Sequence, residues 1–179
     1  MGAEMGIDSE TFQLGAAAKA AGVPTQTVKV WLHTGRVTAQ DVTGGRDVGT
    51  RRNFPFFTVM ELATARALTE VAFQRDLERT FAAAQMFAHT NAGFVEGVTS
   101  SRHGGYPFAE GRTLLCASTD RARIINLQDG QDLMHEIGKA LGAPVALVIV
   151  DLNAVFDRVV HALGFDPRDE MAAIYGGVE

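Results

Sequence analysis

The sequence predicts an α+β fold, and three observations carry that expectation. Residues 14–33 (LGAAAKAAGVPTQTVKVWLH) place helix-favouring side chains on both sides of a Gly-Val-Pro corner. Residues 58–90 hold one long apolar periodicity at helical spacing. After residue 112, short strand-like runs alternate with amphipathic helical ones in the order ββαβα. With 179 residues and a hydrophobic fraction of 46%, the chain has the length for one large or two small domains with a core.

The first helix follows a flexible N-terminus expected over residues 1–11. Its residues, 14–21, are small and helix-favouring, and Gly22 supplies the positive φ that ends it, with Val23 tucked beneath the corner. Pro24 opens the first turn of a second helix, 25–33. There Val28, Trp31 and Leu32, at i, i+3 and i+4, form an apolar face that assigns Trp31 to the core. Gly35 stops this helix. Ala18, four residues before Gly22, is small enough to let the two helices approach, which describes a helix-turn-helix. The opposite face carries Thr25, Gln26, Thr27, Lys29 and His33, side chains able to hydrogen-bond base edges or phosphates.

Two short helices also suit a hairpin in a small bundle; the residues that follow favour the first reading. Val and Thr flank a Gly-Gly-Arg-Asp turn across residues 37–53, the pattern of a β-hairpin. A basic hairpin behind such a helix forms a wing, with Arg46 at its tip and Arg51 and Arg52 on its return strand. Arg36 lies between helix and wing and joins the candidate DNA-binding set. Charge points the same way. Residues 11–58 hold six basic against two acidic side chains, a net of +4, and residues 76–179 hold eight against fourteen, a net of −6. A basic unit joined to an acidic one is the balance of a DNA-binding segment with a separate regulatory or assembly domain.

Residues 12–75 resemble the winged helix-turn-helix of the MerR family and its excisionase-like relatives. The likeness lies in "LGAAAKAAGVPTQTVKVWLHTGRV", in the wing, and in "RRNFPFFTVMELATARAL". In that family an arginine and an aromatic close the wing before a helix, and Arg52, Phe54 and the helix from Thr58 hold those places here. The resemblance implies DNA binding, usually as a dimer on a palindrome. It covers about a third of the chain and does not extend to the second half. MerR activators continue into one long dimerisation helix, and their metal-sensing members carry paired cysteines. Here Gly93 and Gly97 interrupt the helix and Cys116 stands alone, which points to an atypical or phage-type relative.

A Thr58-x-x-Glu61 capping box opens the long connecting helix expected over residues 58–90. Its stripe comprises Met60, Ala63, Ala67 and Val71, then Leu77, Phe81, Ala84 and Phe87 or Ala88. Residues 91–111 read as a Gly-rich connecting loop, followed by strands 112–118 and 122–127 around a Thr119-Asp120-Arg121 turn. Leu133, Ile137 and Leu141 mark a helix over 130–141 that Gly142 and Pro144 stop. The apolar run 145–150 (VALVIV) predicts a central strand buried on both faces. Asp151 or Asn153 caps a last helix, 154–163, with Val155, Phe156, Val159, Val160 and Leu163 on its apolar face. A homodimer is expected to pair wholly after residue 75, through Leu77, Phe81, Phe87, Phe156, Val160 and strand 112–118 as an edge.

Candidate chemistry is thin. Asp151 ends an apolar strand, where α/β enzymes place acidic residues, yet a helix cap explains it more simply. Asp157 and His161 have the i, i+4 spacing of two metal ligands and equally that of a solvated face. His103 beside Gly104-Gly105 is tied by no motif to an acid or nucleophile, and Cys116 falls mid-strand as a buried thiol. No phosphate loop, G-x-S-x-G elbow or H-E-x-x-H occurs in the sequence. No catalytic residue, metal or cofactor is therefore expected, and the chain does not read as an enzyme. Its longest apolar run is too short to span a bilayer and its first residues lack the pattern of a secretory signal.

These readings converge on a sequence-specific, DNA-binding transcriptional regulator of bacterial or phage origin, cytoplasmic and nucleoid-associated. Its domains would be a MerR-like winged helix-turn-helix at 12–75, a helix and connector at 76–111, and an α+β dimerisation or partner-binding domain at 112–179. Its partners would be double-stranded DNA, a second copy of itself, and RNA polymerase or another DNA-binding protein. Two other classes stay open: a DNA-architecture or packaging factor of a mobile element, of the excisionase or small terminase subunit type, and a protein-interaction module.

Overall fold

Helix α1 (Leu14–Ala21) ends at Gly22, whose φ of 69° is left-handed, and Val23 N–H closes back on the Ala18 carbonyl at 2.9 Å. Helix α2 (Thr25–His33) ends in the same way, with Gly35 at φ 67° and Arg36 N–H on the Trp31 carbonyl at 2.9 Å. The computed structural model describes residues 6–38, 42–44, 51–71, 76–91 and 101–176. Before α1, a short turn at Ile7–Ser9 leads to strand β1 (Thr11–Gln13), which pairs antiparallel with β2 (Asn53–Pro55), Phe12 opposite Phe54. Thr43 exchanges two backbone hydrogen bonds with Asn53, at 2.9 and 3.2 Å, so the chain beyond α2 returns antiparallel to β2. Gly44 next to it has φ 80°, and a side chain there would collide with the Arg51 carbonyl. The expected hairpin tip, with Arg46, lies outside the described residues.

The single helix expected over 58–90 is two helices. Helix α3 (Phe56–Val71) and helix α4 (Leu77–Ala88) pack on each other, and the Asp76 side chain starts α4 afresh by accepting Arg79 N–H at 3.1 Å. Folding the run back buries Met60 and Ala63 of α3 and Phe81, Ala84 and Phe87 of α4, a gain that one exposed rod forgoes, whereas Val71 stays 69% exposed. The expected capping box does not form either. Helix α3 begins two residues earlier, at Phe56, and both Thr58 and Glu61 are buried, the glutamate turned towards α4.

The second half follows the expected order. Strands β3 (Arg112–Ala117), β4 (Ala122–Leu127) and β5 (Val148–Asp151) form an antiparallel sheet in the order β4-β3-β5. Helix α5 (Leu133–Leu141) covers one face, where Leu114 and Cys116 meet Ile137 and Leu141. Helix α6 (Leu152–Leu163) covers the other, where Leu115, Ala117 and Val150 enter the main core. The positions of the strands correct two expectations. The apolar run 145–150 was expected at the centre, but β5 is an edge strand with Ile149 exposed, and Val145, ahead of the strand, is wholly exposed. Strand 112–118, expected at an edge, is the central one. A final helix, α7 (Pro167–Tyr175), was not foreseen, although Asp166 capping Arg168 N–H at 2.8 Å and Pro167 in the first turn mark its start.

One interior runs from Ile7 to Tyr175. Four buried alanines of α1 (Ala17, Ala18, Ala20 and Ala21) bring it close against α3 and α6, and α3 in turn packs on α6. The apolar surfaces expected to hold a dimer are spent here: Phe81, Phe87, Phe156 and Val160 are buried within the chain and Leu77 packs against the same core. The part of the expected connector at 101–108 is also packed. Arg102, 1% exposed, donates to the carbonyls of Phe87 (2.9 Å), His103 (3.0 Å), Tyr106 (3.3 Å), Met86 (3.1 Å) and Thr90 (2.6 Å). It thereby closes the C-terminal end of α4, with its guanidinium 5.0 Å from the Phe87 ring. Among the described residues, no helix is long and apolar enough to cross a membrane.

Candidate nucleic-acid interface

Helix α2 is held from behind. Val28 is fully buried, and Trp31 packs edge-on against Phe81 of α4 with ring centroids 5.0 Å apart. The opposite face is therefore free, and Thr25, Gln26, Lys29 and His33 are exposed on it, with Thr27 half-buried. Gln26, Lys29 and His33 follow one another at helical spacing, so they share that face. Val30, 48% exposed, stands beside them; no periodicity marks it, because a lone apolar residue outside the buried stripe has no pattern to belong to.

Strand pairing brings the return limb of the hairpin to the same place. Lys29, His33, Arg51 and Arg52 line one cleft of about 560 Å³ together with Gln13, Leu14 and Gly15. None of these described lining residues is acidic, so the local potential is positive although the chain as a whole carries −5. Arg51 is exposed and its guanidinium approaches the Gln13 side-chain oxygen at 3.4 Å; Arg52 is half-buried. The third wall is the first turn of α1. Gln13 gives that turn no side-chain cap, and the positive end of a helix favours an anion. Open space surrounds the Gly15 α-carbon. Gln13 and Gly15 escaped the sequence reading because only the β1–β2 pairing sets the start of α1 beside Arg51.

Arg36 stands apart from this cleft. It is half-buried behind α2, and its carbonyl accepts the Gln85 side-chain amide at 3.3 Å. The neighbouring polar cluster was not marked by any sequence pattern. Glu61, with no exposure, accepts Thr38 N–H at 3.0 Å, the Gln85 amide at 3.1 Å and pairs with His89 Nε2 at 2.7 Å. Its only sequence signal is a glutamate inside an apolar helical stripe.

The other candidates have structural roles. Asp151 accepts Asn153 and Ala154 N–H at 3.1 and 3.2 Å as the cap of α6 and holds Arg112 at 2.7 Å. Cys116 is fully buried, and burial pushes its thiol up to about 11. His103 lies between the rings of Phe57 and Tyr106, with centroids 5.9 and 5.4 Å away. Asp157 and His161 meet Asp166 and Arg168 around a small surface cavity. Among the described residues, no three His, Cys, Asp or Glu side chains are grouped as a metal site would need. No protein-family model matches the chain, and no curated protein matches it.

Proposed function

We propose that the chain is a sequence-specific DNA-binding regulator that reads the major groove with α2 and grips phosphate with the hairpin. The observation that carries the reading is the convergence of Lys29, His33, Arg51 and Arg52 on one cleft, with no acid among its described lining residues, beside the exposed face of α2. The order β1, α1, α2, hairpin limb, β2 and α3 supports a MerR-like winged helix-turn-helix. Gln26 and Lys29 offer the amide and ammonium donors that base edges accept, and Val30 offers an apolar contact for a thymine methyl group. Arg51, Arg52 and the uncapped start of α1 supply phosphate contacts, the term that dominates affinity. A single reading head covers few bases, so two copies would bind half-sites about 34 Å apart.

Fluorescence anisotropy of the full chain on labelled random duplex DNA across a salt series tests the reading. Affinity should fall steeply with salt, and Arg51→Ala with Arg52→Ala should flatten the slope by roughly one unit per lost contact. Absence of salt-dependent binding at low ionic strength would overturn it and leave the protein-interaction reading in its place.

A further inference from the structure

A second cavity, of about 420 Å³, lies on the far side of α4 from α2. Its walls are Leu68 of α3, the outer face of α4 and the β3–β4 turn. The space exists because small side chains line it: Ala82 and Ala83 on α4, Ala117 and Ala122 on the strands, and Ser118 at the turn. Pockets that enclose small organic ligands fall between roughly 300 and 1,000 Å³ and combine an apolar floor with a few polar groups. Leu68, Ala83, Met86 and Ala117 make such a floor.

The charged lining is mainly basic. Residues 76–179 have a net charge of −6, yet among the described lining residues Arg79, Arg121 and Arg123 outnumber the one carboxylate, Asp120. Arg79 pairs with Asp76 at 3.4 Å and Arg121 with Asp120 at 3.3 Å. All four side chains are about half exposed or more, so both are surface pairs that hold their guanidinium groups weakly. Arg123 reaches the Ala122 carbonyl at 2.9 Å and, among the described residues, pairs with no carboxylate. Forked donors above an apolar floor suit an oxyanion head on a hydrocarbon body, and a carboxylate is the head with the least bulk and charge to seat between two guanidinium groups.

We propose that this cavity binds a small organic monocarboxylate, its apolar body against Met86, Ala83 and Leu68 and its carboxylate between Arg121 and Arg123. The site shares no residue with the basic cleft of α2, so its occupancy is measurable without DNA.

Calorimetric titration of the full chain with octanoate and 4-phenylbutyrate, against octanol and inorganic phosphate, tests it. At least one carboxylate should saturate a single site, with octanol and phosphate each about tenfold weaker or more. Arg121→Gln with Arg123→Gln should weaken the carboxylate about tenfold. Ala82→Phe, at an exposed α4 position, should block the cavity. If Ala82→Phe lowers the unfolding midpoint, the arginine pair decides alone. The proposal is overturned if neither carboxylate saturates, if octanol or phosphate binds as tightly, or if the arginine variant keeps full affinity.

Discussion

The Glu61 carboxylate and the His89 imidazole meet at 2.7 Å, and together with Thr38 N–H and the Gln85 amide they join the exit of α2 to both α3 and α4. An ionised carboxylate only accepts hydrogen bonds, and here each oxygen has donors facing it. Removing the carboxylate takes a partner from three polar groups at once. Glu61→Ala should therefore cost about 2–4 kcal/mol, read as a lower urea midpoint. Glu61→Gln keeps the shape and one oxygen and should cost less. Equal midpoints for wild type and Glu61→Ala would falsify the account.

Trp31 is the one tryptophan of the chain, and its ring rests on Phe81. Phe81→Ala leaves a cavity beneath α2 and should cost about 3–5 kcal/mol. The same change exposes the indole, so native-state emission should move to the red. An unmoved emission maximum would mean that another group closes over Trp31.

Burial raises the Cys116 thiol from 9.0 to about 11. A group whose folded pKa lies above its unfolded one contributes fully below pH 9, and that contribution is lost as pH rises to about 11. Wild-type stability should thus decline across this window by more than that of Cys116→Val. A thiol reagent should modify Cys116 only after unfolding. Rapid modification of the native protein would contradict the burial.

Gln26 is exposed on the free face of α2, away from the arginines of the cleft. On the proposed reading, Gln26→Ala should lose about 1–3 kcal/mol on the preferred DNA site and little on random duplex. Equal loss on both would reassign Gln26 to the DNA backbone.

Local chemistry was legible in the sequence, and long-range arrangement was not. Gly22 and Gly35 marked two helix ends because a left-handed residue is a local requirement. The order of β3 to α6 was readable from runs of Val, Ile and Leu. The break between Val71 and Leu77 was hidden because the stripes of α3 and α4 continue one periodicity. Whether VALVIV lies at the centre or edge of a sheet depends on which strand pairs with β3, and no residue within the run records that. In the candidate cleft, Lys29, His33, Arg51 and Arg52 were visible as cations and a histidine, whereas Gln13, Gly15 and the clamp at Glu61 depend on contacts across 23 residues or more.

The alanines of α1 lie flush against α6, some 130 residues further along the chain. That contact bears on how such a protein can be exchanged or inherited. A reading head that folds alone can be transplanted between proteins as a cassette. Here a graft of the first 71 residues would keep α3 beside α1 but would leave the side of α1 that meets α6 open to water, and Trp31 without Phe81. Recombination that preserves function would have to carry α4 and α6 along, so the chain travels as a single heritable unit.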